Sequence, residues 1–136
     1  MGRILAIDFG LKRSGLAITD ELRIIATPLD TVDSRELMDV LVRLVAKDNI
    51  DVIVLGEPKR MDGSDSHVTQ NVYLLKEALE KQFPAVKIDL HDERFTSKMA
   101  LEAMIQGGMK KKDRQQKGMI DKVSAAIILQ EYIGNL

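Results

Sequence analysis

A short apolar segment that ends on a carboxylate constrains the fold of this chain most strongly. The segment from Arg3 to Phe9 is apolar except for its first residue and Asp8. Such a run is typical of a strand that is covered on both faces of a sheet. An ionised carboxylate beside a buried strand carries a large desolvation cost unless a cation or several donors satisfy it. Asp8 is therefore either a turn residue that accepts backbone N–H bonds or part of a functional site.

The order of the predicted elements indicates an α/β fold. Periodicity and turn residues predict strands over 3–9, 15–19 and 24–32, a helix from 33 or 34 to 47, a strand over 52–55, a helix over 66–82, a strand over 86–91, a helix from 96 to 107 and a last helix over 116–133. Pro28 lacks a backbone N–H and confines the third strand to an edge. Three consecutive strands followed by strand–helix–strand crossovers predict a mixed five-stranded sheet with helices on both faces.

Composition narrows the class of protein. The 136 residues contain no cysteine, which removes thiolate chemistry, disulfides and cysteine zinc sites. Residues 1–136 are expected to form a single domain, and the absence of a signal peptide or a spanning apolar stretch predicts a cytoplasmic protein. The net charge of −1 provides no global basic field, so any binding to nucleic acid depends on local clusters of positive charge.

Two further carboxylates follow predicted elements in a similar way. Glu93 comes directly after the fifth strand, where it could instead pair with Arg94, and Asp92 is its nearest rival. Asp121 shares a helix face with Ser124, Ala125 and Ile128, which predicts that it faces the sheet. The alternative for Asp121 is a solvent-exposed position near the start of the helix.

These three carboxylates can converge at one end of such a sheet. They would repel one another unless they were protonated or bridged by cations. Oxygen ligands in a chain with two histidines and no cysteine favour Mg²⁺ or Mn²⁺ over zinc. The first of the histidines, His67, gives no strong signal, and the pattern favours a structural hydrogen bond for His91. Whether Asp62 or Asp92 joins the metal ligands stays open.

Each segment that holds a proposed ligand also holds positive charge. If the metal ions bind one phosphate of a nucleic acid, the arginines and lysines there could hold the neighbouring phosphates. The alternative for the lysine run after Gly107 and Gly108 is a solvated loop. The candidate nucleic-acid-binding residues are Lys12, Arg13, Arg94, Lys98, Lys110, Lys111, Lys112 and Arg114.

At these residues the sequence resembles the YqgF/RuvX family, the Holliday junction resolvase-like pre-16S rRNA nucleases. The matching segments are 7–17, 56–63, 92–97 and 120–130. The resemblance implies an RNase H-like fold, metal-dependent cleavage of phosphodiester bonds and maturation of the 5′ end of the small-subunit rRNA precursor. It places Asp8, Glu93 and Asp121 at the family's acidic positions. Glu57 stands where the family often has an apolar residue, and Lys59 and Arg60 make this loop more basic.

The hypothesis is that a metal-activated water attacks the phosphodiester, with Asp8 bridging two ions and with Glu93 and Asp121 each completing one side. A Holliday junction resolvase is one alternative, although Ser124 and Ala125 stand where resolvases have a further acid. Resolution of a junction requires two symmetric sites. The sequence leaves open whether the protein is a monomer or a homodimer. A non-catalytic RNA-binding ribosome-assembly factor is another alternative. The turn at Asp8 also resembles that of sugar kinases and actin-like ATPases, but those need two lobes.

Overall fold

The strands form one mixed sheet in the computed structural model, which describes residues 2–60, 62–94, 96–111 and 118–136. The sheet has five strands in the order β3-β2-β1-β4-β5. Their bounds are β1 Arg3–Asp8, β2 Arg13–Thr19, β3 Ala26–Asp33, β4 Ile50–Glu57 and β5 Lys87–Asp92. The predicted order of elements along the chain and the edge position of the strand with Pro28 are confirmed.

The direction of the strands brings three strand ends together. β1 runs parallel to β4, and β4 runs parallel to β5, so the carboxyl ends of all three lie at one edge of the sheet. β2 runs antiparallel to β1, and Gly15 of β2 is the partner of Asp8. Asp8 therefore lies at the edge where β4 and β5 also end.

The helices begin and end close to the predicted positions. Their bounds are α1 Leu37–Lys47, α2 Thr69–Gln82, α3 Thr96–Gln106 and α4 Met119–Gly134. A 3₁₀ turn precedes α1, and Asp33 caps it by accepting a 2.9 Å hydrogen bond from the backbone N–H of Arg35. None of the helices in the described ranges is long and apolar enough to cross a bilayer.

Helix α2 begins later than predicted. The helix predicted from residue 66 begins at Thr69 because the Thr69 hydroxyl accepts the backbone N–H of Ser66 at 2.8 Å and donates to the carbonyl oxygen of Pro58 at 2.5 Å. These bonds hold residues 66–68 in a turn ahead of the helix. The start predicted at Gln116 lies outside the described residues.

Hydrophobic cores on both faces of the sheet explain the continuous apolar run in β1. Leu5 and Ile7 pack with α1 and α2 on one face, in a core that includes Leu41. Ile4 and Ala6 point to the other face and pack against α4. All four of these β1 side chains are 0% exposed. The expected mixed sheet with helices on both faces is confirmed.

Helix α4 lies unusually close to the sheet at β2. A Cβ atom at Gly15 would overlap the backbone carbonyl of Asp121. The start of α4 is held at Gly118, whose φ is +86° and whose carbonyl accepts a 2.5 Å bond from the Thr31 hydroxyl of β3. Gly15 and this anchor fix where Asp121 enters the helix.

We expect Gly15→Ala to lower the free energy of unfolding by about 2 to 3 kcal/mol, because the new methyl group meets backbone that cannot move aside cheaply. Gly134→Ala is the matched control, since no atom lies within 4 Å of a Cβ built there. Urea denaturation of the two variants measures the difference. Equal stability of both variants would contradict the close approach of α4.

Candidate active site

Asp8 and Glu93 form a pair of carboxyl groups at the edge where β1, β4 and β5 end. Asp8 is the last residue of β1, and Glu93 follows the last residue of β5. The backbone N–H of Glu93 donates to the carbonyl of Glu57 at 3.2 Å, which continues the pairing of β4 and β5 by one residue. The two side chains are hydrogen-bonded to each other. Residues 85 positions apart in sequence are thus in direct contact.

Gly56 of β4 provides the space for this pair. A Cβ atom at Gly56 would lie 2.5 Å from Oε2 of Glu93 and 2.8 Å from Cδ1 of Ile128. The Glu93 carboxyl group therefore lies over the backbone of β4, between the strand and helix α4. Any larger residue at position 56 would displace it.

Burial makes this pair retain a proton. Burial raises the pKa of Glu93 to about 10, and the charge of Asp8 and its hydrogen bond add to the effect. Burial also raises the pKa of Asp8, to about 6; the hydrogen bond from Glu93 opposes this, and the charge of Asp121 adds to it. At neutral pH the protonated Glu93 donates to the Asp8 carboxylate, because two buried charges in contact cannot both ionise without a cation.

Asp121 lies near this pair and forms an ion pair with the guanidinium of Arg13. Its Oδ2 is 3.3 Å from Nε of Arg13, the first residue of β2. Its charge reaches Asp8 and raises the pKa of that carboxyl group. The prediction that Asp121 faces the sheet agrees with this position, and its backbone contacts Gly15.

The carboxyl oxygens of Asp8 and Glu93 are suitable ligands for a hard divalent cation. Such oxygens are the ligand type that Mg²⁺ and Mn²⁺ prefer, and the pair requires either a proton or a cation between its members. Within the described part of the chain, no three Asp, Glu or His side chains are grouped closely enough to hold one ion. Asp121 therefore lies near the pair, but the three carboxyl groups are not close enough together to bind one ion in this conformation.

The turn between β1 and β2 is tied down by hydroxyl groups. The Ser34 hydroxyl donates to the carbonyl of Gly10 at 2.5 Å and lies 2.8 Å from the buried hydroxyl of Ser14. The backbone N–H of Ser34 donates to the carbonyl of Lys12 at 2.9 Å. These bonds hold Lys12 and Arg13 beside Asp8.

The other candidate basic residues are placed to different degrees. Arg94 binds the exposed Asp92 with its Nε 2.9 Å from Oδ2, so the rival of Glu93 takes the ion pair with Arg94. Lys98, Lys110 and Lys111 are exposed. Lys112 and Arg114 lie outside the described residues.

A cavity opens beside Asp121. It has a volume of about 350 Å³, and its lining includes Lys12, Arg13, His67 and Asp121. A second cavity of about 270 Å³ includes His91, Asp92, Arg94 and Glu131 in its lining. Each of these two cavities thus has a positively charged side chain in its lining.

Two polar residues that were considered for the site lie elsewhere. Nε2 of His91 is 2.8 Å from Oε2 of Glu131 on α4, which agrees with a structural hydrogen bond. Asp62 is exposed and accepts bonds from the backbone N–H and hydroxyl of Ser64, so it belongs to a local turn.

Three residues of this region carry little signal in the sequence. Gly56 follows a predicted strand, and His67 lies at the predicted start of a helix. Ser124 was noted as a small neighbour of Asp121, yet its hydroxyl is buried. Only the spacing from Asp121 could have indicated that Ser124 faces the same region.

The mixed sheet of five strands with helices on both faces defines an RNase H-like fold. The structure is similar to that of Thermus thermophilus RuvC in complex with a Holliday junction substrate, with a TM-score of 0.55 and 18% identity over 99% of this chain and 96% of that chain. A second RuvC structure from Thermus thermophilus gives a TM-score of 0.53 at 16% identity, over 97% and 96% of the two chains. At these identities the likeness shows the fold.

The chain belongs to the RuvX family, whose model is described as a Holliday junction resolvase and matches residues 2–135. A relative from Phocaeicola vulgatus, named "Putative pre-16S rRNA nuclease", is 46% identical over 98% of this chain and 96% of its own length. A relative from Flavobacterium johnsoniae with the same name is 44% identical over 99% and 98%. The predicted family and the predicted nuclease activity on nucleic acid are confirmed.

We expect Glu93→Gln to stabilise the metal-free protein, and increasingly so as the pH rises. A carboxyl group whose pKa is raised on folding favours the folded state below its unfolded pKa, and this contribution is lost as the pH rises through the folded pKa. For Glu93 that window runs from 4.5 to about 10. The gain over the wild type should grow by up to about 1 kcal/mol per pH unit within it.

Melting temperatures in chelator at about pH 5 and about pH 9 measure this effect on both sides of neutrality. Glu102→Gln, on the exposed surface of α3, is the control for loss of one negative charge. A stability difference between Glu93→Gln and the wild type that stays constant with pH would show that Glu93 is not buried against Asp8.

Proposed function

We propose that residues 1–136 act as one metal-dependent nuclease domain that processes the 5′ end of pre-16S rRNA in the cytoplasm. The observation that supports this most is the buried, proton-sharing pair of Asp8 and Glu93 at the sheet edge. The names of the relatives from Phocaeicola vulgatus and Flavobacterium johnsoniae support the rRNA substrate.

Asp8 and Glu93 would hold Mg²⁺ or Mn²⁺, with Asp121 as the third carboxylate. The bound ion would lower the pKa of a water molecule and neutralise charge on the phosphate. Glu93 would hold such an ion in its ionised form, so binding of a cation would be accompanied by release of the proton that Glu93 retains in the metal-free protein. The Arg13 guanidinium, whose Nε is 3.3 Å from Oδ2 of Asp121, could exchange that carboxylate for a phosphate oxygen.

Local positive charge would position the nucleic acid. Lys12 and Arg13 line the cavity at Asp121, Arg94 lines the cavity at Asp92, and the chain as a whole has a net charge of −1. The substrate is therefore attracted to this edge of the sheet and not to the protein surface in general. Lys98, Lys110 and Lys111 are exposed and extend the proposed surface. Lys112 and Arg114 lie outside the described residues and stay candidates from the sequence.

Cleavage of a four-way DNA junction is the second candidate, and the description of the matching family favours it. Symmetric cutting of a junction needs two sites related by symmetry, hence a dimer on the substrate. A labelled pre-16S fragment and a four-way junction, each offered with Mn²⁺ and with chelator, separate the two activities. Cutting of the junction alone would replace the rRNA assignment.

We expect Asp8→Asn to reduce the cleavage rate of the pre-16S fragment by at least about a hundredfold, because the neutral amide cannot replace a carboxylate ligand. The fold should persist, since the substitution removes a buried charge. Asp48→Asn is the control: this residue pairs with Arg3 at the opposite end of the sheet. A folded Asp8→Asn protein with full activity would overturn the site. A wild-type protein that cleaves no RNA and binds it equally well with and without chelator would favour an assembly factor.

We expect Lys12→Gln to weaken binding of RNA and to reduce the salt dependence of the affinity by about one phosphate contact. The measurement is the dissociation constant at several salt concentrations, in chelator so that no RNA is cut. Lys81→Gln is matched in charge and is exposed near the end of α2, away from the carboxyl pair. Identical salt slopes for the two variants would show that Lys12 does not contact the backbone of the RNA.

A further inference from the structure

The hydroxyl group of Ser124 is a buried polar group that has no hydrogen-bond partner in the part of the chain that the structure describes. The residue is 1% exposed. Buried hydroxyl groups are ordinarily hydrogen-bonded, and an unsatisfied one destabilises the folded state. A serine inside a helix usually bonds the carbonyl four residues earlier, and the Ser124 hydroxyl does not do so. The position therefore retains a polar atom that the fold itself does not use.

The position of Ser124 on α4 directs it towards the carboxyl pair. It lies one turn after Asp121 and one turn before Ile128, on the same helix face. The backbone of Asp121 contacts Gly15, which is the β-sheet partner of Asp8. Ile128 and the carboxyl group of Glu93 approach the same point above Gly56. Along α4, Ser124 therefore lies between the residue that contacts Gly15 and the residue that lies above Gly56.

The surrounding sequence shows that packing alone does not require a hydroxyl here. Ala125 is next to Ser124 on α4 and is 0% exposed against the same sheet. Alanine has a better helix propensity than serine and leaves no polar atom unsatisfied. Features that cost stability without a structural return concentrate at functional sites.

We propose that Ser124 is a positioning residue whose hydroxyl donates a hydrogen bond to the carboxylates of the site when these are ionised to hold a divalent cation. The inference rests on the proposed function. Ionised carboxyl groups can only accept hydrogen bonds, and the buried Ser124 hydroxyl is a donor that no other described group uses. Such a bond would fix the orientation of a carboxylate for the cation. Groups that orient ligands from the second layer typically change metal affinity by about 10- to 100-fold.

The test compares Ser124→Ala and Ser124→Thr with the wild type. The control is Thr19→Val, because the buried Thr19 hydroxyl has a partner, the backbone N–H of Ile4 at 2.9 Å, and lies at the other end of the sheet. Four quantities are measured: the melting temperature in chelator, the affinity for Mn²⁺ alone by calorimetry, and kcat and KM on the pre-16S fragment.

For Ser124→Ala we expect a melting temperature equal to or above that of the wild type, an affinity for Mn²⁺ reduced by about tenfold, and a lower kcat at unchanged KM. Ser124→Thr, which retains the hydroxyl, should restore most of the Mn²⁺ affinity. Thr19→Val should show the opposite pattern, with a lower melting temperature and unchanged binding of Mn²⁺, because it leaves a buried backbone N–H without its acceptor.

Wild-type Mn²⁺ affinity in Ser124→Ala would overturn this inference alone, and so would a lower melting temperature with unchanged kcat. A wild-type protein that neither binds Mn²⁺ nor cleaves either nucleic acid would overturn the proposed function and this inference together. The two failures are distinguishable because the wild type is measured on its own.

Discussion

The hydrogen bond between Asp8 and Glu93 is the interaction around which one end of the sheet is organised. Two buried carboxyl groups in contact must share a proton or a cation, and the pair therefore reduces the stability of the metal-free fold at neutral pH. Apolar side chains on both faces of β1 and β4 offset that cost. The pair therefore favours binding of a cation at this edge of the sheet. Arginine and lysine side chains that can bind phosphates lie at the same edge.

Helix α4 determines what surrounds the pair. Its close approach depends on Gly15 and Gly56, where side chains are absent, and on the bond from Thr31 that holds Gly118. From that position one face of the helix presents Asp121, the Ser124 hydroxyl and Ile128 in successive turns towards the sheet. A single helix thereby supplies a carboxylate, a polar group and an apolar wall. This economy is possible because residues three and four apart share a helix face.

Several features could be predicted from local sequence, because local rules control them. The continuous apolar run of β1 follows from cores on both faces, and the edge position of β3 follows from Pro28. The choice between Asp92 and Glu93 could not be made in this way, since both follow the same strand. It depends on the space above Gly56, which belongs to a different strand, and on Arg94, which binds Asp92.

The sequence by itself determined the element order, the sheet with helices on both faces, the family and the three candidate carboxylates. Only the tertiary structure decided that Asp8 and Glu93 share a proton, that Arg13 holds Asp121, and that the Ser124 hydroxyl has no partner among the described residues. The reason is physical. Residue types and their spacing fix local conformation, whereas contacts between residues far apart in the chain depend on the register of parallel strands and on how closely one helix crosses the sheet.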